Sequence, residues 1–545
     1  MPVKPRNLLL SLFSAALLSL AWFWHLTILI FFAFAPLLLI EERFSQNAGE
    51  QRNRLKLLGY AFLTFFTWNI LVTWWVVYAS FGGACMAFIF NSLFMAIVFV
   101  VFSNIKSRVA KSWATWLLIP VWITWEHLHT IWDLSWTWLT IGNVFAFNHN
   151  WVQWYEFTGT SGGTTWALAV NILVFKAVQK ESTLKFSSWP VFRIAASILL
   201  PLFASYLLIL LHLFENRESK VTTPVVVVQP NIDPYNEKFY LDYQSQFNKV
   251  LKMVKGKIDA RTDYLVLPET FITDDLNEAM LNESQPVQWM RDSLISKFPD
   301  LKIVTGGNTY VFYDDPGKVT ATSRRDERSG KYYDVFNTAI LIDAHHTAVY
   351  HKSKLVPGVE RMPFPALFRP LEGLAINMGG TMGSLGTQEK RSVFMDEAKK
   401  LGVAPVICYE SVYADYVTEY IRNGAGLIFI ITNDGWWDDT PGYRQHLNYA
   451  RLRAIENRRE IARCANTGIS CFIDSYGNIS MPTGWWQQAV ITNEMVKNDR
   501  MTFFSVHGDL ISYCSVAITI LLIAFTIYLR FRTRLSTNGA KKTFI

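Results

Sequence analysis

Val403-Ala-Pro-Val-Ile-Cys-Tyr-Glu410 is the stretch on which the reading of this chain turns. Five apolar residues stop abruptly at a thiol followed by polar residues. That pattern predicts a buried strand ending in a tight turn, the arrangement by which a nucleophile is held at a strand-to-helix junction. A lone buried cysteine in a core produces a similar string, so the weight of Cys408 comes from its company. Tyr264-Leu-Val-Leu-Pro-Glu-Thr270 reads as a second strand ending in an acid, Glu269, whose bland reading is a helix cap. Val349-Tyr-His-Lys-Ser-Lys-Leu-Val-Pro-Gly-Val-Glu360 reads as a third, ending in Lys352, whose bland reading is a solvated charge. An acid, an amine and a thiol at the C-terminal ends of three predicted strands point to one reactive edge.

Around these strings, residues 220–508 read as an α/β domain. Strands are expected at 223–229, 264–268, 302–305, 338–343, 404–408, 427–432 and 470–474, with helical spacing at 239–258, 285–297 and 446–461. Alternation of this kind builds a sheet covered by helices. Residues 314–331, rich in Asp, Arg, Gly and Ser, are expected to be a solvated hairpin tip. Residues 374–388, with glycines at 379, 380, 383 and 386, are expected to be a mobile apolar loop near the site.

The remainder of the chain is different in kind. Of 545 residues 51% are hydrophobic and only 17% charged, which excludes a disordered chain and an ordinary cytosolic enzyme. Apolar runs at 8–24, 26–40, 55–77, 84–102, 113–125, 164–178, 191–214 and 510–529 approach or span a hydrocarbon core of about 30 Å. The expectation is a polytopic α-helical membrane domain over 1–215 with seven spans, an extracytoplasmic α/β domain over 220–508, an eighth span at 510–529 and a basic tail at 530–545. The first run lacks a small-residue cleavage site and is read as a retained helix.

Eighteen basic residues mark one side of these runs: Lys4 and Arg6; Arg43, Arg52, Arg54 and Lys56; Lys106, Arg108 and Lys111; Lys176, Lys180, Lys185 and Arg193; Arg530, Arg532, Arg534, Lys541 and Lys542. The alternate connections before the long polar interval, the whole of 112–175 among them, hold none. Because Lys and Arg are retained on the cytoplasmic side, both termini are expected inside and the α/β domain outside. Residues 194–529 then carry 33 basic against 37 acidic residues, so the net charge of +7 is a topology signal facing anionic lipid and not a nucleic-acid surface.

Cys85, Cys408, Cys464, Cys471 and Cys514 are too scattered for a disulfide framework, and whether Cys464 pairs with Cys471 stays open. His127, His129, His345, His346, His351 and His446 show no ligand spacing, and neither a metal nor a cofactor is expected. The tryptophan-rich stretch 113–166 reads as an interfacial belt. A sharper alternative makes Glu126, Asp133 and Glu156, with these rings, the floor of a lipid-access cleft.

With these strings in place the chain resembles the nitrilase superfamily and, within it, the apolipoprotein N-acyltransferase branch. The likeness rests on Leu267-Pro-Glu-Thr270, on Lys352 with Leu355-Val-Pro357 and Glu360, and on Ile407-Cys-Tyr-Glu410. Thr432-Asn-Asp-Gly-Trp436, Gln445-His446, Ala450-Arg451, Arg453-Ala454, Glu456 and Arg459 extend it. The branch's Leu-Val-Pro-Phe-Gly-Glu run is Leu355-Val-Pro-Gly-Val-Glu360 here, which alters the turn that aims Glu360. Phe239 stands near the branch's lid tryptophan, and Arg463-Cys-Ala-Asn466 replaces Arg-Ala-Thr-Asn.

The resemblance implies an α-β-β-α sandwich with Cys408 as nucleophile, Glu269 as base and Lys352 as oxyanion partner. Glu360 is implied as a fourth, supporting acid, with Tyr409 and Glu410 supporting beside the nucleophile. It implies a multi-pass enzyme of the bacterial inner membrane, its catalytic domain periplasmic. The implied acyl donor is a phospholipid, phosphatidylethanolamine, and the acceptor is the α-amine of a diacylglyceryl apolipoprotein. The alternatives are a membrane-tethered carbon-nitrogen hydrolase and a non-enzymatic lipid-binding scaffold. The chemistry is coherent, since a thiol of pKa about 8.5 needs a base, and one oxyanion donor is worth about 3 kcal/mol.

The charge asymmetry makes a direct prediction. Cysteines placed by substitution at Lys180 and Lys541 should be shielded from a membrane-impermeant thiol reagent in intact cells, and one at Lys318 should be labelled. Labelling of the first two with protection of the third would reverse the topology.

Overall fold

In the computed structural model the described residues are 3–23, 26–45, 51–180, 188–215, 222–238, 240–361 and 384–541. The first seven strands, β1 (Thr222–Gln229), β2 (Tyr264–Val266), β3 (Ile272–Asn277), β4 (Lys302–Tyr313), β5 (Arg324–Arg325), β6 (Tyr332–Ile342) and β7 (Thr347–His351), belong to one sheet. Six more, β8 (Phe394–Asp396), β9 (Leu401–Ile407), β10 (Ala425–Thr432), β11 (Ile461–Ala465), β12 (Cys471–Ile473) and β13 (Ile479–Ser480), form a second. The last, β14 (Ala489–Val496), returns to the first sheet antiparallel to β1. The order is β14-β1-β2-β4-β6-β5 in the first sheet, with β3 on β4 and β7 on β6, and β13-β12-β11-β10-β9-β8 in the second.

Period-two side-chain alternation explains why the two sheets stack. Val225, Val227, Tyr264 and Val266 face the second sheet and share a core with Val403, Val406, Ile428 and Ile430. Their neighbours Val226, Val228, Leu265 and Leu267 face the other way, against the helices Tyr243–Val254 and Gln285–Met290. The helices Ala414–Arg422 and Pro441–Asn457 cover the second sheet through Val417, Tyr420, Ile421, Leu447, Ala450 and Ala454. The result is the expected α-β-β-α sandwich.

The elements depart from expectation in several places: β3, β5, β8, β11, β13 and β14 fall where no strand is expected, and several expected elements differ in extent. Strands β4 and β6 are far longer than expected and pair from Ile303↔Ile342 out to Tyr313↔Tyr332, carrying the tip 314–331 away from the sandwich. The helix expected at 446–461 spans Pro441–Asn457 and ends at Arg458, a residue of φ 49, so that Ile461 begins β11 beside β10. The expected loop at 374–388 lies mostly outside the described residues, as does Phe239. All five cysteines are free, which closes the question left open for Cys464 and Cys471; Cys464 donates to the Val228 oxygen at 3.1 Å.

Five described helices are long and apolar enough to cross a membrane: Gln51–Thr73, Phe81–Val109, Tyr155–Gln179, Ser188–His212 and Leu510–Arg532. The first run is the shorter helix Val3–Ala21. The second is divided between Ile30–Ala33 and Ala35–Ser45, and the fifth yields the 14-residue helix Leu118–Ile131. In Ser188–Glu215 the side chains of Leu199, Leu200 and Phe203 are 60–67% exposed, as suits a surface solvated by lipid. Glu41, fully buried, is matched by Lys106 at 2.5 Å and by the Ser103 hydroxyl at 2.8 Å, the pairing a charge inside a helix bundle requires.

The tryptophan-rich stretch is packed inside the protein more than it is laid out as a belt. Trp122 and Trp138 are buried, Trp113 is exposed, and Trp138 donates to Gln445 Oε1 at 2.7 Å. Its acids act as internal clamps. Glu126 accepts from Ile141 N (2.8 Å) and Thr164 Oγ1 (2.7 Å), Asp133 meets Arg361 at 3.2 Å, and Glu156 meets Arg458 at 2.9 Å.

Arg458 is the main polar tie between the two halves. Besides Glu156 it reaches Gln153 Oε1 (2.7 Å), the Gln153 oxygen (2.9 Å) and the Ser475 oxygen (3.1 Å). Removing one partner of a buried pair strands the other and costs about 3–5 kcal/mol. Arg458→Met should therefore lower the apparent Tm of the detergent-solubilised protein and speed proteolytic release of the α/β domain, whereas a surface control, Arg261→Met, should do neither.

Candidate active site

Glu269, Lys352 and Cys408 follow β2, β7 and β9, and the sheet order gathers these strand ends into one pocket. Lys352, 1% exposed, donates through Nζ to Glu269 Oε1 at 2.9 Å and to Glu360 Oε1 at 2.8 Å. The altered Gly358-Val359 turn brings Glu360 onto Lys352. Gly358 takes φ 78, which favours glycine, and Val356 N donates to Glu360 Oε2 at 2.8 Å. Burial opposes ionisation of Glu269, but Lys352 outweighs it and the carboxyl sits below its ordinary range. For Lys352 the two carboxylates likewise outweigh burial and hold the ammonium above its ordinary range.

Cys408 is 8% exposed and takes φ 48, the left-handed conformation a non-glycine residue adopts only where its surroundings enforce it. Here its own carbonyl is held from two directions, by the Ser411 hydroxyl at 2.7 Å and by His446 Nε2 at 3.1 Å. Burial and the Glu269 carboxylate push the thiol well above its ordinary value, against the pull of Lys352. The resting group is therefore a neutral thiol facing an ionised carboxylate, the state from which a base-assisted attack starts.

The supporting residues divide in two. Glu410 is fully buried and joins the nucleophile turn to the lysine. It accepts from Ile407 N (2.9 Å), the residue before Cys408, and from Ser353 N (2.8 Å), the residue after Lys352. Tyr350 and Tyr416 also donate to it, each at 2.6 Å. Tyr409 points instead to the membrane domain, where its hydroxyl donates to the Ser135 oxygen at 3.1 Å and its ring stacks on Trp136 at 6.4 Å.

Several site residues carried no sequence signal of their own. Asn337, in mid-strand β6, bridges Glu269 Oε1 (2.9 Å) and Glu360 Oε1 (3.1 Å) through one amide. Asn433, quoted above only within Thr432-Asn-Asp-Gly-Trp436, donates through its backbone N to Glu269 Oε2 at 3.2 Å. Gly306 lies against the base so closely that a Cβ there would meet Thr270 N at 2.4 Å. His446, quoted above only as part of a string, has a place behind the nucleophile: its Nδ1 faces Asp434 Oδ1 at 3.0 Å, and Arg463 holds Asp434 Oδ2 at 2.6 Å. Burial notwithstanding, Arg463 and the hydrogen-bonded His446 keep the Asp434 carboxyl well below its ordinary range.

The chain matches two families of known proteins. Carbon-nitrogen hydrolase covers residues 225–500, and the apolipoprotein N-acyltransferase N-terminal domain covers residues 14–173. An apolipoprotein N-acyltransferase of Chlorobaculum tepidum is 31% identical over 516 residues, 91% of each chain. Those of Geobacter metallireducens and Thermotoga maritima are 24% and 25% identical. The first spans 94% of both chains, the second 94% of this chain and 92% of its own.

Glu410 yields a test of this geometry. Glu410→Ala strands two buried backbone N–H groups and two hydroxyls, at about 1–3 kcal/mol each where they find no other partner. The variant should lose several degrees of apparent Tm, and its Cys408 should lose the distinct iodoacetamide reactivity of the parent. Parent-like stability and reactivity together would show that Glu410 does not hold the turn.

Proposed function

The chain belongs to the apolipoprotein N-acyltransferase family, and from that premise we propose that it moves an acyl chain from a phospholipid, through a thioester on Cys408, to the α-amine of the diacylglyceryl cysteine that begins an apolipoprotein. In this reading the enzyme is a multi-pass protein of the bacterial inner membrane, with its α/β domain on the periplasmic side and both termini in the cytoplasm. Phosphatidylethanolamine is the donor we favour.

The observation that carries the reading is the seating of the nucleophile. The residues just after Cys408 lie against the membrane domain, Tyr409 on Ser135 and Trp136 and Tyr413 on the Ser135 hydroxyl at 2.9 Å, so the thiol sits at the edge where lipid would arrive. In the first half-reaction Sγ attacks the ester carbonyl and its proton passes to Glu269. The oxyanion is met by Lys352 and the N–H after Cys408. Collapse breaks the C–O bond, Glu269 returns the proton to the glycerol oxygen, and lysophospholipid leaves. In the second, the amine attacks the thioester, Glu269 takes its proton, and the departing sulfur recovers a proton as the amide forms. Glu360 holds Lys352 in place throughout.

An amidase with the same triad would resolve the thioester with water. The two are separated by what discharges it. Purified protein given phospholipid alone should accumulate a hydroxylamine-sensitive adduct of acyl mass on Cys408 that lasts many minutes. A lipopeptide with a free diacylglyceryl cysteine should then discharge it into an amide. Rapid release of free fatty acid, indifferent to the lipopeptide, would support the hydrolase, and an adduct on Cys464 or Cys471 would remove Cys408 from the mechanism. Cys408→Ala and Cys408→Ser should fold and form no thioester, while Glu269→Gln should slow both half-reactions by at least the ~100-fold that a general base contributes.

A further inference from the structure

The catalytic pocket holds a second buried ammonium. Lys238 lies on the connection between β1 and the helix Tyr243–Val254, yet it is only 2% exposed. Its Nζ donates to the main-chain oxygen of Glu269 at 3.1 Å and to the Thr270 hydroxyl. The connection that delivers it is firmly tied. Asn231 N donates to the Asn466 oxygen at 3.0 Å, the Tyr235 hydroxyl to the Trp436 oxygen at 3.0 Å, and Gln246 Nε2 to the oxygen of Lys238 itself at 2.8 Å.

The turn that Lys238 grips needs gripping. Thr270 takes φ 46, an unfavourable conformation for a β-branched residue, and the backbone of Glu269 and Thr270 is pressed on its other side by Gly306. Glu269 and Cys408 are ionisable groups of the site that act on Lys238. Burial lowers its pKa to about 8 while those two groups oppose the fall, so the amine is a cation at neutral pH.

We infer that Lys238 is a positioning residue of the reaction centre, pinning the turn that carries Glu269 and supplying the second positive charge that lets two carboxylates and the Cys408 thiolate share a buried site. The inference rests on the reading of Glu269 as base and Cys408 as nucleophile. With Lys238 and Lys352 positive, Glu269 and Glu360 negative and the thiol neutral, the resting centre sums to zero. Transfer of the thiol proton to Glu269 leaves that sum unchanged, and so does passage of the negative charge from sulfur to the oxyanion. Without Lys238 every one of these states carries an uncompensated negative charge, which raises the proton affinity of base and thiol alike. Asp434, the remaining carboxylate facing Cys408, is already matched by Arg463 and His446.

The test is the pH dependence of Cys408 alkylation by iodoacetamide in the full-length detergent-solubilised protein, with modification of Cys408 followed by peptide mass separately from that of the exposed Cys514, the half-buried Cys85 and the buried Cys464 and Cys471. Lys238→Met should move the midpoint up by about one pH unit or more and slow alkylation at neutral pH about 10-fold or more. Lys238→Arg, which keeps the charge and donors, should recover most of the shift. Where Lys238→Met fails to fold, Lys238→Gln keeps an N–H donor without the charge and should show the same displacement. A folded, charge-free variant with the parent midpoint would overturn the inference, even if its Tm fell, because a purely structural lysine changes stability without changing the thiol's titration. Alkylation needs no acyl donor. A shifted midpoint in a protein that forms no thioester with phospholipid would therefore leave the inference standing and reject the proposed function.

Discussion

One buried ammonium between two carboxylates constrains everything else in the α/β domain. Taking Lys352, Glu269 and Glu360 out of water costs several kcal/mol per ion, and mutual attraction offsets that only when the geometry is close and the remaining lone pairs are satisfied. The structure meets the condition with contacts of 2.8 and 2.9 Å, the Asn337 amide shared between both acids, and the N–H groups of Asn433 and Val356 on the outer oxygens. Those donors come from β6, the end of β10 and the loop after β7. The ends of both sheets must therefore converge, and the sheet order reads as the solution to that requirement.

A second constraint couples Cys408 to the membrane domain through the helix Pro441–Asn457, beside the direct contacts of Tyr409 and Tyr413. Pro441–Asn457 presents His446 to the Cys408 carbonyl and Arg453 to the carbonyl of Val412 at 2.7 Å, so it holds the strained turn from behind. The same helix offers Gln445 to Trp138 and Tyr449 to Trp22, at 2.7 and 3.1 Å, and at its end Arg458 enters the membrane domain. A helix buried along its length between two partners carries an unusual load of polar side chains. Gln445, Tyr449 and Arg458 answer the membrane domain, and His446 and Arg453 answer the turn at Cys408.

What was legible in the sequence follows from how local each signal is. Strand ends and apolar runs are written in contiguous residues, so Glu269, Lys352 and Cys408 stood out, and residues 223–229 read as a strand. Asn337, Gly306 and Lys238 did not stand out, because an asparagine in a strand, a glycine in a Gly-Gly pair and a lysine in a loop acquire meaning only from residues tens of positions away. The helix boundary at Arg458 was misjudged for a related reason. An arginine is a good helix former, and only its tertiary partners hold it at φ 49. The tryptophan-rich stretch was taken for a lipid-facing belt because composition cannot distinguish a ring at a membrane surface from one wedged between two domains.

The electrostatics of the resting pocket also bear on why it stands at a lipid boundary. A permanently ionised thiolate would need a permanently available counter-charge and would react with whatever electrophile reached it. Here burial and the neighbouring carboxylate keep sulfur protonated, and in the proposed mechanism negative charge would develop on sulfur or oxygen only when a carbonyl is present to receive it beside Lys352. In the proposed mechanism the proton that leaves sulfur passes to Glu269, which is held by Lys352, Asn337, Asn433 and Lys238 together. An acyl-enzyme formed in such a pocket would sit with its sulfur in dry protein and its chain toward the membrane domain, where the base, once it has released its proton to the leaving group, stands ready for the next nucleophile able to enter.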